Sequence, residues 1–203
     1  MMGNILQLSP DPPPKFGFER ARKPRKGKTA SSQLGLFTPA GQVLPMASGT
    51  TPFERALHYD EKDDARAGAL YREAIAQSDS VPDAYCNLGI IESTSGNITG
   101  AFDCFTNSLK ADPRHLESHY NLANLYFDME DLRLARSHYQ LAAEIDPGFP
   151  NLYFNLGLVL ALLGDFDGAL LALTRYAELA PDAESAKATP LIQTLRKSIV
   201  QKR

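Results

Sequence analysis

Apolar and small residues recur along this chain at a spacing of 34. Tyr85-Cys86-Asn87-Leu88-Gly89 returns as His119-Tyr120-Asn121-Leu122-Ala123 and as Tyr153-Phe154-Asn155-Leu156-Gly157. Ala101, Ala135 and Ala169 fall in step, as do Pro113, Pro147 and Pro181. A period of this length predicts stacked helix pairs, an architecture whose usual task is holding another chain rather than performing chemistry. Within each unit the pattern predicts two helices, near 82–95 and 98–111, 116–129 and 132–145, and 150–163 and 166–179. Breaks at Gly96-Asn97, Glu130-Asp131 and Gly164-Asp165 separate the members of each pair, and a proline ends each second helix.

The repeated positions have mechanical reasons. Gly89, Ala123 and Gly157 are small where the first helix approaches the second, and Ala101, Ala135 and Ala169 are the matching small contacts. Phe105, Tyr139 and Leu173 are bulky and are expected to fill the space between pairs. A degenerate pair is expected before these, near 52–62 and 64–77. It would open on Thr51-Pro52-Phe53-Glu54, an N-cap hydroxyl, a first-turn proline and a Glu three residues after the cap. A last helix over about 184–201, with Leu191, Leu195 and Ile199 on one stripe, reads as a terminal cap that Thr189-Pro190 would restart or kink.

Residues 1–50 break the pattern. Prolines, a Lys/Arg run and Gly/Ser/Thr spacing leave too little apolar surface to offset ordering entropy, so a disordered arm is expected. The exception is the apolar cluster Gln33-Leu34-Gly35-Leu36-Phe37, which could pack on the body or serve as a short recognition segment. The organisation expected is therefore a basic arm over 1–50 and an array over 51–183, divided 51–81, 82–115, 116–149 and 150–183. A capping helix and basic tail follow over 184–203.

Charge sharpens this picture. The net charge of −3 conceals a segregation: residues 1–52 carry seven Lys/Arg against Asp11 and Glu19, while residues 53–184 carry nine against 22 acidic side chains. An acidic body lies between basic ends. The run Arg20, Arg22, Lys23, Arg25, Lys26 and Lys28 has three readings: contact with nucleic-acid phosphates (or a nuclear-import address), folding back onto the acidic body, or a solubilising tail. Phe16 and Phe18 beside it would add stacking.

The residues quoted above resemble the tetratricopeptide-repeat family over about residues 52–183. The array attached to the O-linked N-acetylglucosamine transferase is the nearest in flavour, on Pro82-Asp83-Ala84-Tyr85-Cys86-Asn87-Leu88. No sugar-nucleotide domain follows here, so transferase activity is not carried over. The resemblance implies an all-α, right-handed superhelical solenoid of about four helix pairs with a C-terminal cap. It also implies a concave groove in which Asn87, Asn121 and Asn155 grip an extended peptide. A carboxamide can pair with a backbone N–H and C=O whatever the peptide's side chains, meeting an extended strand about every third residue. Three rungs would span roughly six to nine residues. Tyr120, Asn124, Phe127, Phe154 and Leu158 complete the expected peptide site, although the apolar members serve equally well as packing between repeats.

A carboxylate clamp of the kind that grips chaperone tails needs a Lys before such an Asn. Cys86, Tyr120 and Phe154 stand there instead, with Asp83 and Glu117 one turn back, which favours a neutral or basic ligand. His115 and His119 are four apart but not in a zincin pattern, and no phosphate-cradling loop or nucleophile elbow occurs. The expectation is a non-catalytic adaptor without cofactor or metal. The rival is a nucleic-acid-associated regulator using the arm for DNA or RNA. With two cysteines, no basic leader before an apolar core and no long apolar run, the chain is expected in the cytoplasm, or associated with nucleus or nucleoid, away from membranes; self-assembly stays open.

Overall fold

A computed structural model describes residues 14–22 and 50–202. These form helices α1 (Pro52–Asp60), α2 (Arg66–Ala76), α3 (Val81–Thr94), α4 (Ile98–Ala111), α5 (Leu116–Asp128), α6 (Leu132–Ile145), α7 (Pro150–Leu162) and α8 (Phe166–Leu179). A short α9 (Asp182–Ser185), a 3-10 turn (Ala186–Ala188) and α10 (Thr189–Lys202) follow. No strand occurs among the described residues, and the fold class is all-α. The chain forms two compact units, one of residues 20–111 and the other of residues up to Glu19 together with those from Asp112 onward.

The first unit contains the hairpins α1–α2 and α3–α4, with α2 packed on α3. The Thr51 hydroxyl accepts from the Glu54 N–H at 3.3 Å and the Glu54 carboxylate accepts from the Thr51 N–H at 3.0 Å, the reciprocal cap that the sequence predicts. In the second unit α5–α6 and α7–α8 repeat the hairpin, α6 packs on α7, and α10 packs on α8. The terminal stretch restarts at Thr189-Pro190: α9 and the 3-10 turn precede α10, which starts at Thr189 with Pro190 in its first turn. Leu191 and Leu195 are buried, as the cap requires.

Each break is built the same way. Gly96 and Gly164 adopt φ of +84° and +80°, and Glu130 takes the equivalent place at +62°, a left-handed conformation that costs a non-glycine residue on the order of 1 kcal/mol. The next residue caps the following helix. Asn97, Asp131 and Asp165 side chains accept the backbone N–H of Gly100, Leu134 and Gly168 at 3.1, 3.1 and 2.9 Å.

The small residues do what their spacing suggests, but the bulky ones need correction. A Cβ on Gly157 would lie 2.7 Å from Leu173 Cγ, and one on Gly89 would lie 2.7 Å from the Phe105 ring. Phe105 and Leu173 therefore fill the gap inside their own hairpins, over the glycine of the partner helix, rather than only the space between pairs. Cys86 and Cys104 are buried thiols, and burial pushes Cys104 up to about 11.

His119 and His138 meet at 3.1 Å through their Nδ1 atoms, with Tyr126 stacked on His138 and the Pro113 carbonyl 3.1 Å from His119 Nε2. No group of three metal-ligating side chains occurs among the described residues. Burial first, then the neighbouring His119, depresses His138 to about 4. Its folded value lies below the unfolded one near 6.5, so the unfolded chain binds more protons in between. The stability this pair contributes is complete above pH 6.5 and is lost as pH falls from there towards 4. Thermal melts across that window should show a falling Tm that flattens in His138→Gln; identical profiles for both proteins would refute the assignment.

Candidate functional site

Residues 14–22 are not disordered as composition suggested. Phe16 and Glu19 are held in the second unit, and Ala21 in the first, by the asparagines named from the repeat pattern. Poor apolar content misled because the bonds that fix this stretch are made by its main chain, whose groups every residue carries. The remaining arm, including Gln33–Phe37, lies outside the described residues.

In the second unit Asn155 on α7 pairs with Phe16 in both directions. Its Oδ1 accepts the Phe16 N–H at 2.8 Å and its Nδ2 donates to the Phe16 carbonyl at 3.0 Å. Asn121 on α5 treats Glu19 identically, at 2.8 and 2.7 Å. Asn124, one turn on, donates to the Gly17 carbonyl at 2.9 Å. In the first unit Asn87 on α3 accepts the Ala21 N–H at 2.8 Å and donates to its carbonyl at 2.9 Å. The doubly bonded residues are Phe16, Glu19 and Ala21, so spacings of three and then two replace the uniform three expected. Their six-residue span sits at the lower end of the expected range.

The carboxamides are themselves held by buried phenols. Tyr71 on α2 accepts from Asn87 Nδ2 at 3.1 Å and donates to Asp60 at 3.0 Å. Tyr139 on α6 donates to Asn124 Oδ1, which also accepts from Asn155 Nδ2 at 2.9 Å. Tyr120 accepts from Asn155 Nδ2 at 3.1 Å and reaches the Phe16 carbonyl at 3.5 Å. Burial, and for Tyr71 the adjacent Asp60 carboxylate, raises all three phenols well above their ordinary range, which keeps them protonated donors at neutral pH. All four asparagines are fully buried. A buried carboxamide without partners costs about 1–3 kcal/mol, so this network fixes each Asn rotamer and aims its free edge at the segment.

Side-chain anchors complete the grip. The Phe16 ring meets Phe154 edge-on at 5.2 Å and Tyr176 at 5.8 Å, with the Lys187 ammonium 5.0 Å from its centroid. Lys15 pairs with Asp128 at 3.3 Å and lies 6.0 Å from the Phe127 ring centre. In the first unit Arg20 is held by Asp60 through Nε at 2.9 Å and Nη2 at 3.2 Å, a bidentate pair with a carboxylate that is itself buried. Asp63 lies 3.6 Å from the same guanidinium.

Of the apolar side chains named from sequence, Phe154 and Tyr120 touch the segment, Phe127 lies under Lys15, and Leu158 is buried in the core of the second unit. Leu158 is thus a packing residue. Sequence reasoning missed Asp60, Asp128, Tyr71, Tyr176 and Lys187. The signal for the acidic pair was the net negative body opposite a basic arm, which announces complementarity without naming positions. Of the basic run, Arg20 is engaged, Arg22 is exposed, and Lys23, Arg25, Lys26 and Lys28 lie outside the described residues.

Comparison with known proteins agrees with the repeat geometry. The family described as "Tetratricopeptide repeat" matches residues 82–115 and 150–183, and that described as "TPR repeat" matches residues 123–164. RNA polymerase II-associated protein 3 of Homo sapiens is 24% identical over 180 residues, 84% of this chain; the chain spans only 27% of that protein's length. Among solved structures, the first TPR of Spaghetti (RPAP3) bound to HSP90 peptide SRMEEVD is 22% identical, with TM-score 0.55, over 59% of this chain and 94% of that one. A thermophilic TPR protein in Thermus thermophilus is 23% identical, with TM-score 0.57, over 73% of this chain and 81% of that one. No helix among the described residues is long and apolar enough to cross a membrane. With the 34-residue period, the helix hairpins and these matches in agreement, the chain carries tetratricopeptide repeats over the matched residues.

Proposed function

We infer that this chain is a non-catalytic adaptor whose repeats hold an extended segment of a protein through its main chain. The observation that supports this reading most is the bidentate pairing of Asn87, Asn121 and Asn155 with Ala21, Glu19 and Phe16. Magnitudes set what such a grip can do. Six hydrogen bonds at about 0.5–1.5 kcal/mol net give roughly 3–9 kcal/mol. Ordering six backbone residues costs about 1–2 kcal/mol each, which offsets that gain. Affinity then depends on anchors, and the aromatic slot at Phe154 and Tyr176 and the buried Asp60 supply them.

The class of ligand differs from that of the relative carrying an HSP90 peptide. SRMEEVD is acidic, whereas Lys15, Arg20 and Arg22 outnumber Glu19 in the segment held here. Asp60 and Asp128 face its cations, and no Lys precedes any ladder asparagine. A basic or neutral extended segment fits these repeats.

Titrating the full chain with a fluorescent peptide of residues 14–22 tests the reading by anisotropy. Saturable binding is expected in the unaltered protein. It should vanish when Asn87, Asn121 and Asn155 are all replaced by alanine with the far-ultraviolet helix signal unchanged. Binding that survives the triple replacement removes the ladder mechanism.

A further inference from the structure

Resting on that reading of the repeats, we propose that residues 15–22 are an intramolecular competitor. The partner they hold off is another chain's basic extended segment with an aromatic residue and, four residues beyond it, an Arg followed by a small residue.

The segment itself specifies that pattern. Phe16 occupies the aromatic slot, and Gly17 follows with its carbonyl on Asn124. Arg20 meets the buried Asp60, and Ala21 is fully buried against Asn87, where its methyl leaves no room for a long side chain. Phe18 lies near the Lys15 ammonium, 5.6 Å from its ring centre. The main-chain bonds at Phe16, Gly17, Glu19 and Ala21 are indifferent to sequence, and a Cβ on Gly17 would meet nothing within 4 Å, so specificity resides at positions 16, 20 and 21.

The resident segment leaves part of the acidic end unused. Beside Arg20 in the first unit lies a cavity of about 320 Å³ lined by Asp60, Asp63 and Asp64 over Ala67, Gly68, Ile90 and Ile91. Asp63 is solvent-exposed and touches Arg20 only at 3.6 Å, while Asp64 pairs with Arg66. A second cationic side chain with an aliphatic stem suits that lining. An incoming segment bearing one can therefore exceed the grip of the resident one.

Covalent attachment is what makes the resident segment a competitor. In the sequence 27 residues separate Arg22 from Thr50, enough to reach roughly 90 Å when fully extended. A tether able to span its sites presents its ligand at an effective concentration of about a millimolar. An external segment then binds only the fraction of molecules whose repeats are open, and its apparent Kd rises by the inverse of that fraction.

Two proline substitutions release the segment without touching a repeat. Glu19→Pro and Ala21→Pro remove the N–H groups that donate to Asn121 and Asn87. The fluorescent peptide of residues 14–22 should bind this full-length double variant at least tenfold more tightly than it binds the unaltered chain. Phe16→Ser, made separately, should give the same sense of change, and a peptide with Glu in place of its Arg20 should bind neither chain. Equal affinity for the unaltered and released chains overturns the competition while leaving the adaptor reading intact. Absence of saturable binding by any chain overturns both. A concentration-dependent dimer in sedimentation that disappears in the released variant would place the segment on a second copy and overturn the intramolecular arrangement.

Discussion

Replacing Asn155 with alanine is expected to accelerate tryptic cleavage after Lys15 by roughly tenfold to a hundredfold. The carboxamide has four partners: its Oδ1 accepts the Phe16 N–H, and its two Nδ2 hydrogens are shared among the Phe16 carbonyl, the Tyr120 hydroxyl and Asn124 Oδ1. An alanine methyl satisfies none of them, and the Phe16 N–H loses its acceptor. Losing a buried partner costs about 1–3 kcal/mol, and each 1.4 kcal/mol is tenfold in the open population from which protease cuts. Lys15 must leave Asp128 to be cleaved, so the rate reads release of this end directly. Replacing Asn155 should leave helix content unchanged, because its side chain makes no helix cap. A cleavage rate that does not move would mean that the asparagine is incidental to holding the segment.

Truncating Tyr176 to alanine should have the larger effect on stability, about 3–5 kcal/mol. The ring is fully buried on α8, edge-on to Phe154 at 5.0 Å and tilted against Phe16. Its hydroxyl donates to the Glu184 carbonyl at 3.0 Å and so ties α9 to the hairpin before it. Alanine there opens a cavity in the core of the second unit and removes one wall of the aromatic slot together. For a unit of this size a loss of about 3 kcal/mol lowers Tm by roughly 10 °C or more. Tyr176→Phe, which keeps the ring, should cost only about 1 kcal/mol. Equal melting temperatures for the alanine and phenylalanine variants would contradict the packing role.

The repeats were legible because their constraints are periodic. Gly89 and Gly157 must be small under Phe105 and Leu173, and Gly96 and Gly164 must turn with positive φ, so each leaves a mark every 34 residues or a multiple of it. Asn87, Asn121 and Asn155 were legible for the same reason. The tyrosines behind them were not. Tyr71 and Tyr139 recur at twice the repeat length, with Phe105 between them, and a bulky aromatic at that place reads equally as filler. The occupant was hidden more deeply. Pro14 to Arg22 is charged and lacks periodicity because its fixed points are main-chain groups, and its two anchors, Phe16 and Arg20, are too few to form a pattern. By composition the apolar cluster at Gln33–Phe37 looks more like a buried segment than Pro14 to Arg22 does. The acidic body and basic arm did announce an attraction, and the pairs Lys15–Asp128 and Arg20–Asp60 give it positions.

Amide hydrogen exchange of the unaltered full-length protein, resolved at Phe16, Glu19 and Ala21, addresses the asparagine grip most directly. These three N–H groups donate to Asn155, Asn121 and Asn87. They should exchange at least about a hundredfold more slowly than in the free peptide of residues 14–22. Exchange at free-peptide rates at all three positions would contradict the grip.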